Sequence, residues 1–202
     1  NDTYVWNLGD GLDTITDTSG ESSICFGNGI SFSDLSFFQS NRNLIINVKG
    51  DDTQGVIIKN YLSSSGSISS LWKNLIITDE QKNYDIPTMD MEINCSQDGS
   101  DSIIGGTNGN NIINSGSGND TIYMGSGSNT FVWNLGDGLD TINFRSLANG
   151  ENGIIKFGSG ITADDLDFYY SSGLKIVVKG DETQGIILKG FTGNGNKDPI
   201  TT

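Results

Sequence analysis

The chain has 202 residues, a formal net charge of −14 and no histidine. That acidity argues against nucleic acid and anionic membrane surfaces as partners, and no apolar run approaches the ~20 residues of a membrane helix. Without histidine there is no Ser-His-Asp triad, Cys-His pair or HExxH zinc site, and two cysteines leave too few ligands for structural zinc. The hydrophobic share is 34%, with 28 glycines against 2 prolines, a composition that also suits disorder. Disorder is set aside because the apolar residues recur on a beat. A stacked coil needs few of them, since each inward side chain is covered by its neighbours above and below.

Residues 1–15 read NDTYVWNLGDGLDTI, and residues 128–142 read SNTFVWNLGDGLDTI. The likeness continues through Phe26-Gly27-Asn28-Gly29-Ile30 against Phe157-Gly158-Ser159-Gly160-Ile161. It runs on through Asp34-Leu35 against Asp165-Leu166, and residues 48–59 against 178–189. The chain therefore holds two repeats of one module. Asp2 opens the first where the second has Asn129. Asp13 and Asp140 follow in the shared GDGLDTI run, with Asp10 and Asp137 as further oxygen donors. Tyr4, Trp6, Phe131 and Trp133 share one strand parity, which Leu8 and Leu135 continue. The tryptophans are thus expected to fill the wide end of a coil, with a carbohydrate-stacking platform as the alternative. No signal peptide precedes the first repeat, which opens inside a motif, so a slice of a longer protein is expected.

Residues 43–49 and 55–60 predict two antiparallel strands joined by a hairpin loop over 50–55, and residues 174–179 with 185–189 repeat the arrangement. Phe37 and Phe38, like Phe168, Tyr169 and Tyr170, precede these hairpins. They are expected to cover the end of the coil, where bare strand edges would aggregate. Residues 63–70, SSSGSISS, read as a flexible linker. Ile68, Leu71, Trp72, Leu75 and Ile77, followed by Thr78-Asp79-Glu80-Gln81, read as a closing hairpin. Asp90 and Glu92 come next, and a solvated strand is favoured for them over an ion site. Cys25 aligns with Lys156, which places it outward as a free thiol. A Cys25–Cys95 disulfide is the alternative in an oxidising compartment, though spacing alone is no support for it.

The middle of the chain carries the strongest pattern. Gly109, Gly118 and Gly127 recur every nine residues, followed two residues later by Asn111, Asp120 and Asn129, and two further on by Ile113, Ile122 and Phe131. Asp101 with Ile103, and Asp140 with Ile142, extend it at stretched spacing. Glycine permits the sharp turn, and strand alternation points the apolar residues inward. Two such units make one coil, so residues about eighteen apart lie one above the other. Stacked strands lie about 4.8 Å apart and a calcium–oxygen bond is about 2.4 Å, so one cation reaches both turns. Neither turn alone supplies the roughly 6–8 oxygens that Ca²⁺ takes, so the ion fastens one coil to the next.

Gly118-Asn119-Asp120-Thr121-Ile122 resembles the GGxGxDxUx nonapeptide of the RTX, or haemolysin-type calcium-binding, family. The segment that follows is similar to the family's haemolysin-type calcium-binding related region, whose pattern the Asp34-Leu35 and Asp165-Leu166 pairs fit. The resemblance implies Ca²⁺ held by the carboxylates of Asp101, Asp120 and Asp140 with the turn residues Gly99, Gly118, Asn119 and Gly138. In the opening turns it implies Asp2, Asp13 and Asp137. Asn111 and Asn129 fall on the opposite edge, where a neutral amide binds Ca²⁺ less strongly. One calcium-loaded edge is therefore expected, and one weak or empty edge held by an asparagine ladder. All of these residues are also ordinary turn formers.

The expected fold is all-β: parallel β-roll segments, a calcium-binding β-solenoid, capped by antiparallel β-hairpins. A first module is expected over 1–97. A second is expected over 98–202, with nonapeptides at 98–160, a capping hairpin at 161–192 and a truncated tail. The two are expected as separate coils. The resemblance implies a non-catalytic, calcium-binding structural module of a secreted, extracellular bacterial protein, exported by type I secretion and folding on calcium outside the cell. The alternatives are an adhesin or surface-layer repeat that binds glycan or protein, and the accessory region of a secreted hydrolase or polysaccharide-modifying enzyme. The acid pair Asp164-Asp165 reads as a solvated turn rather than a glycosidase pair. The glycine runs at 150–153 and 193–196 read as turns, not phosphate loops.

Overall fold

The computed structural model describes residues 1–95, 103–143, 152–170 and 172–190, and within them the chain is all-β apart from two single-turn 3-10 segments. The first repeat opens with β1 (Thr3–Trp6), β2 (Leu12–Ile15) and β3 (Ser22–Phe26). A 3-10 turn at Phe32–Asp34 leads into three antiparallel strands, β4 (Leu35–Ser40), β5 (Asn43–Val48) and β6 (Asp51–Ile58). A hairpin of β7 (Trp72–Ile77) and β8 (Lys82–Asp85) follows.

The nonapeptide stretch forms β9 (Met91–Cys95), β10 (Ile103–Gly105), β11 (Asn111–Asn114), β12 (Thr121–Tyr123), β13 (Asn129–Trp133), β14 (Leu139–Asn143) and β15 (Gly153–Phe157). After a 3-10 turn at Ala163–Asp165 the second repeat ends in β16 (Leu166–Tyr170), β17 (Gly173–Val178) and β18 (Asp181–Lys189).

Successive strands from β9 to β15 alternate between two sheets. Odd-numbered ones join an eight-stranded sheet ordered β15-β13-β11-β9-β4-β5-β6-β2; even-numbered ones join a six-stranded sheet ordered β10-β12-β14-β18-β17-β16. The pairing is parallel, and partners such as Ile103 with Thr121 and Ile112 with Thr130 lie two nine-residue units apart. Ile113, Ile122, Phe131 and Ile142 all point into the shared core and are fully buried; in β10 the residue stacked on Ile122 and fully buried is Ile104, not Ile103 as the stretched spacing predicts. The two repeats fold alike: β1 pairs β3 as β13 pairs β15, and β2 pairs β6 as β14 pairs β18, all in parallel.

Two separate coils are not what forms. β9 pairs in parallel with β4 of the first repeat, Phe37 opposite Ile93, so one eight-stranded sheet runs through both repeats. Gln39 strengthens the join. Its buried amide donates to the Gly105 carbonyl at 2.9 Å and accepts the Gly105 N–H at 3.0 Å, so a side chain takes the part of a strand along β10. Gln39→Ala leaves both groups of Gly105 buried without these partners. It is expected to cost about 2–4 kcal/mol, read as a lowered urea midpoint.

The hairpin loop also differs from expectation. β5 and β6 are joined by the two residues Lys49 and Gly50, at φ 56° and 71°, a left-handed turn that suits the twist of a hairpin. Residues 51–54 continue as strand and bulge out of register before Gly55 pairs with Asn47. Gly55 has φ 140°, and a Cβ there would overlap the Ile46 carbonyl oxygen; Gly185, at φ 148°, stands in the same relation to Ile176. Each Gly→Ala change is expected to destabilise by at least about 2 kcal/mol, checked by chemical denaturation.

Residues 63–70 are not a flexible linker: Leu62 bridges Ile68, the Ser63 N–H donates to the Ser67 carbonyl, and Tyr61 and Leu62 are buried. The closing hairpin forms as expected, and its acids clasp the neighbouring turn. Asp79 accepts the Gly29 N–H at 2.6 Å and Glu80 the Phe32 N–H at 2.7 Å. Leu8 and Leu135 are exposed rather than inward. The strand ends at the tryptophan, and the turn that follows resets the parity. Both tryptophans are buried as expected, and each closes its turn through the indole N–H, Trp6 to Gly11 O at 2.9 Å and Trp133 to Gly138 O at 3.1 Å. Cys25 is half-buried and Cys95 buried, both as free thiols.

Candidate metal centre

The pairing of Thr121 with Thr141 sets Asp120 directly over Asp140 at the start of their strands. Each shares the parity of the isoleucine two residues on, so each turns into the coil; Asp120 is 2% exposed and Asp140 0%. The Asp120 N–H donates to Asp140 Oδ1 at 2.9 Å, and the Ser115 hydroxyl donates to Asp140 Oδ2 at 2.8 Å. The turns above and below are tied together as well. Gly118 N–H donates to the Asp137 carbonyl at 3.0 Å, and Leu139 N–H to Asn119 Oδ1 at 2.8 Å. Gly138, at φ 93°, brings the turns into backbone contact, since a Cβ there would overlap the Gly118 carbonyl.

Burial pushes the Asp140 carboxyl up to about 7, against the pull of the Asp120 N–H and the Ser115 hydroxyl; the charges of Asp120 and Asp137 push the same way as burial. Asp137 is also raised by burial, although Asn134 donates to it from backbone and side chain. Cys95 shares this environment. Burial first, and then the charge of Asp120, push its thiol up to about 12, so the free thiol is protonated at neutral pH.

The opposite edge has the same geometry with different chemistry. Asn111 N–H donates to Asn129 Oδ1 at 2.9 Å, as Asp120 N–H does to Asp140. Here the side-chain amide adds a second donor: Asn111 Nδ2 reaches Asn129 Oδ1 at 2.7 Å and the carbonyls of Gly109 and Thr107 at 3.0 and 3.1 Å. Asn129 Nδ2 does likewise to Gly127 and Ser126. The expected asparagine ladder is therefore present. A carboxylate has no N–H to give to turn carbonyls in this way.

Asp120, Asp140, Gly118, Asn119, Gly138 and Asp137 are thus brought together. Asp137 lends a carbonyl to the stack, while its Oδ2 caps the Asn134 N–H at 2.7 Å, as Asp10 caps Asn7 at 2.8 Å. Asp2 and Asp13 are not brought together: Asp2 precedes β1 and Asp13 lies on β2, which belong to different sheets, and both are exposed. Asp101 and Gly99 lie outside the described residues. Among the described residues no cluster of three or more His, Cys, Asp or Glu side chains forms. The three ion pairs among them, Lys73–Asp85, Lys82–Glu80 and Lys175–Glu182, lie elsewhere.

Sequence reading missed Ser115 and Cys95 as neighbours of the carboxylates. A serine in a glycine turn carries no motif, and Cys95 approaches only through the packing of β9 against its neighbours. The Asp34-Leu35 and Asp165-Leu166 pairs cap and anchor the 3-10 turns. Asp34 accepts the Ser31 N–H and hydroxyl at 2.8 Å each, which hold its carboxyl below the usual range, and Asp165 does the same for Thr162.

No model of a known family matches this chain, and no curated protein does. Among solved structures, the extracellular lipase LipA from Serratia marcescens is similar over 100% of this chain at 11% sequence identity and a TM-score of 0.32. The chain spans 37% of that lipase's length. A likeness so loose carries no argument about this chain.

Proposed function

We propose that this chain is a non-catalytic, calcium-ordered structural module of RTX type. In this reading it is a parallel β-roll whose coils are fastened by Ca²⁺ along the Asp120–Asp140 edge and by amides along the Asn111–Asn129 edge. The observation that carries it is the exchange of carboxylate for amide at one and the same buried ladder position. An amide satisfies its turn carbonyls with its own N–H groups. Two stacked carboxylates do not, and burying them side by side costs free energy that a bound cation offsets. An all-oxygen donor set of carboxylate and carbonyl suits a hard cation such as Ca²⁺. Asp120 and Asp140 would hold it.

Ligands from two coils converge only when the coils are stacked, so binding energy becomes folding energy. A chain of this charge would stay expanded where calcium is scarce and order where it is abundant, which fits export before folding and a working place outside the cell. Surface glycan or protein are the partners such a scaffold would present itself to. The test is a circular dichroism titration of the chelator-treated chain. β-Structure that grows with Ca²⁺ but not with Mg²⁺ is the expected result. A chelated chain that is fully β-structured, with no gain in stability on adding Ca²⁺, would overturn the proposal.

A further inference from the structure

The turn between β11 and β12 begins at Ser115 and ends at Asp120, and both of its ends grip the same carboxylate of the next coil. The Ser115 hydroxyl donates to Asp140 Oδ2 at 2.8 Å, and the Asp120 N–H donates to Oδ1 at 2.9 Å. Each oxygen of Asp140 thus has its own donor, and the plane of the carboxylate is fixed at both corners. Ser115 is 1% exposed and Asp140 0%, so bulk solvent does not compete for these bonds.

A serine in a turn ordinarily bonds the backbone of its own turn. Ser63 does so, its hydroxyl oxygen accepting the N–H groups of Ser65 and Ser67. Ser115 instead reaches a residue 25 positions further on. The same place in the two neighbouring nine-residue units belongs to Gly106 and Met124, whose side chains have no donor. Those units lead to Asn111 and Asn129, and the Ser115 unit leads to Asp120. Among these three units a hydroxyl therefore stands at this place only on the carboxylate edge. Thr107, on the opposite edge, bonds the Met89 carbonyl at 2.6 Å and the Asn111 amide oxygen of its own turn at 2.9 Å. Its hydroxyl joins backbone and amide.

We propose that Ser115 is a positioning residue of the candidate metal centre: its hydroxyl holds Asp140 in one orientation, so that the cation meets a ligand already in place. This inference rests on the calcium reading of the Asp120–Asp140 edge. An ionised carboxylate has about four lone-pair sites on its two oxygens. Ser115 and Asp120 take two of them, which leaves two for a cation, so the ion binds without displacing either donor. A ligand that is already oriented loses less freedom on binding, and partners that orient a ligand in this way typically account for about 10–100-fold in metal affinity.

Isothermal titration calorimetry with Ca²⁺ tests it on the wild-type chain, Ser115→Ala and Thr107→Ala, each checked for its fold in calcium by circular dichroism. Ser115→Ala is expected to raise the Kd about tenfold or more. Thr107→Ala removes a buried hydroxyl from the opposite edge, so it should lower the urea midpoint and leave the Kd close to the wild-type value. A merely structural role for Ser115 would move the two constants alike. If Ser115→Ala does not keep its fold, Ser115→Gly takes its place, since glycine occupies that place at Gly106. A Kd of Ser115→Ala equal to the wild-type value or tighter overturns the inference, and so does an equal weakening in both variants; calcium binding at the Asp120–Asp140 edge survives either result. A wild-type chain that takes up no calcium overturns the calcium reading itself, and this inference with it.

Discussion

Asp120→Ala is expected to remove most of the calcium-dependent part of the chain's stability, whereas Asn111→Ala should lower stability and leave the calcium-dependent part intact. The two residues hold the same place on opposite edges of the coil, and each hydrogen-bonds through its N–H to the residue stacked on it. At free calcium about a hundredfold above the dissociation constant, one site adds about 2.7 kcal/mol to folding. Loss of one of two carboxylates that raises the constant about a hundredfold would cut that increment to under ~0.5 kcal/mol at the same calcium concentration. Asn111→Ala instead strips donors from Asn129, Gly109 and Thr107. That loss costs about 2–3 kcal/mol with or without calcium. Urea midpoints of the three proteins, each in calcium and in chelator, separate the two effects. An equal loss of the calcium increment in both variants would mean that the ion does not sit on the Asp120 edge.

The nine-residue beat was legible because it is local. Ile113, Ile122 and Phe131 lie inward as their spacing requires, and the repeated WNLGDG run folds into the same indole-closed turn twice. The stacking of Asp120 on Asp140 was legible for the same reason, since one coil is a fixed count of residues. The join of the repeats was not. β4 and β9 are separated by two hairpin units, and nothing in either strand names its partner; Gln39 finds Gly105 only once the sheets have assembled. Leu8 and Leu135 misled because alternation was carried past Asn7 and Asn134, where the backbone turns. The stretch 50–55 looked like a polar loop, but Asp51 folds it locally through bonds to the Thr53 N–H and hydroxyl, so it bulges within a strand. In each case a short-range contact or a distant partner overrode the period.

The calcium-free chain is expected to be more stable at pH 5 than at pH 8, the reverse of most acidic proteins. Asp140 is raised from an ordinary 3.8 to about 7, mainly by burial. Its folded form therefore holds a proton more tightly than the unfolded chain does. Between about pH 4 and 7 the native state binds more protons, so stability falls as pH rises through that window and levels off above it. A shift of this size corresponds to roughly 2–4 kcal/mol, with Asp137, also raised, acting in the same sense. Asp17, Asp34, Asp51, Glu80, Asp165 and Asp181 are all held below their usual range by hydrogen bonds, so their contribution is lost only at lower pH. Measuring above pH 5 isolates the raised carboxyls of Asp140 and Asp137. Saturating calcium should reverse the trend, because the ion takes the proton's place and binds better as the carboxylates ionise. Replacing both carboxylates, Asp120→Asn with Asp140→Asn, rebuilds on this edge the amide ladder that Asn111 and Asn129 already form on the other. That variant should be more stable than the wild type in chelator at pH 8, nearly flat between pH 5 and 8, and indifferent to calcium. A wild-type chain equally stable at both pH values in chelator would mean that the stacked carboxylates carry no unrelieved charge, and would remove the reason for an ion to bind between them.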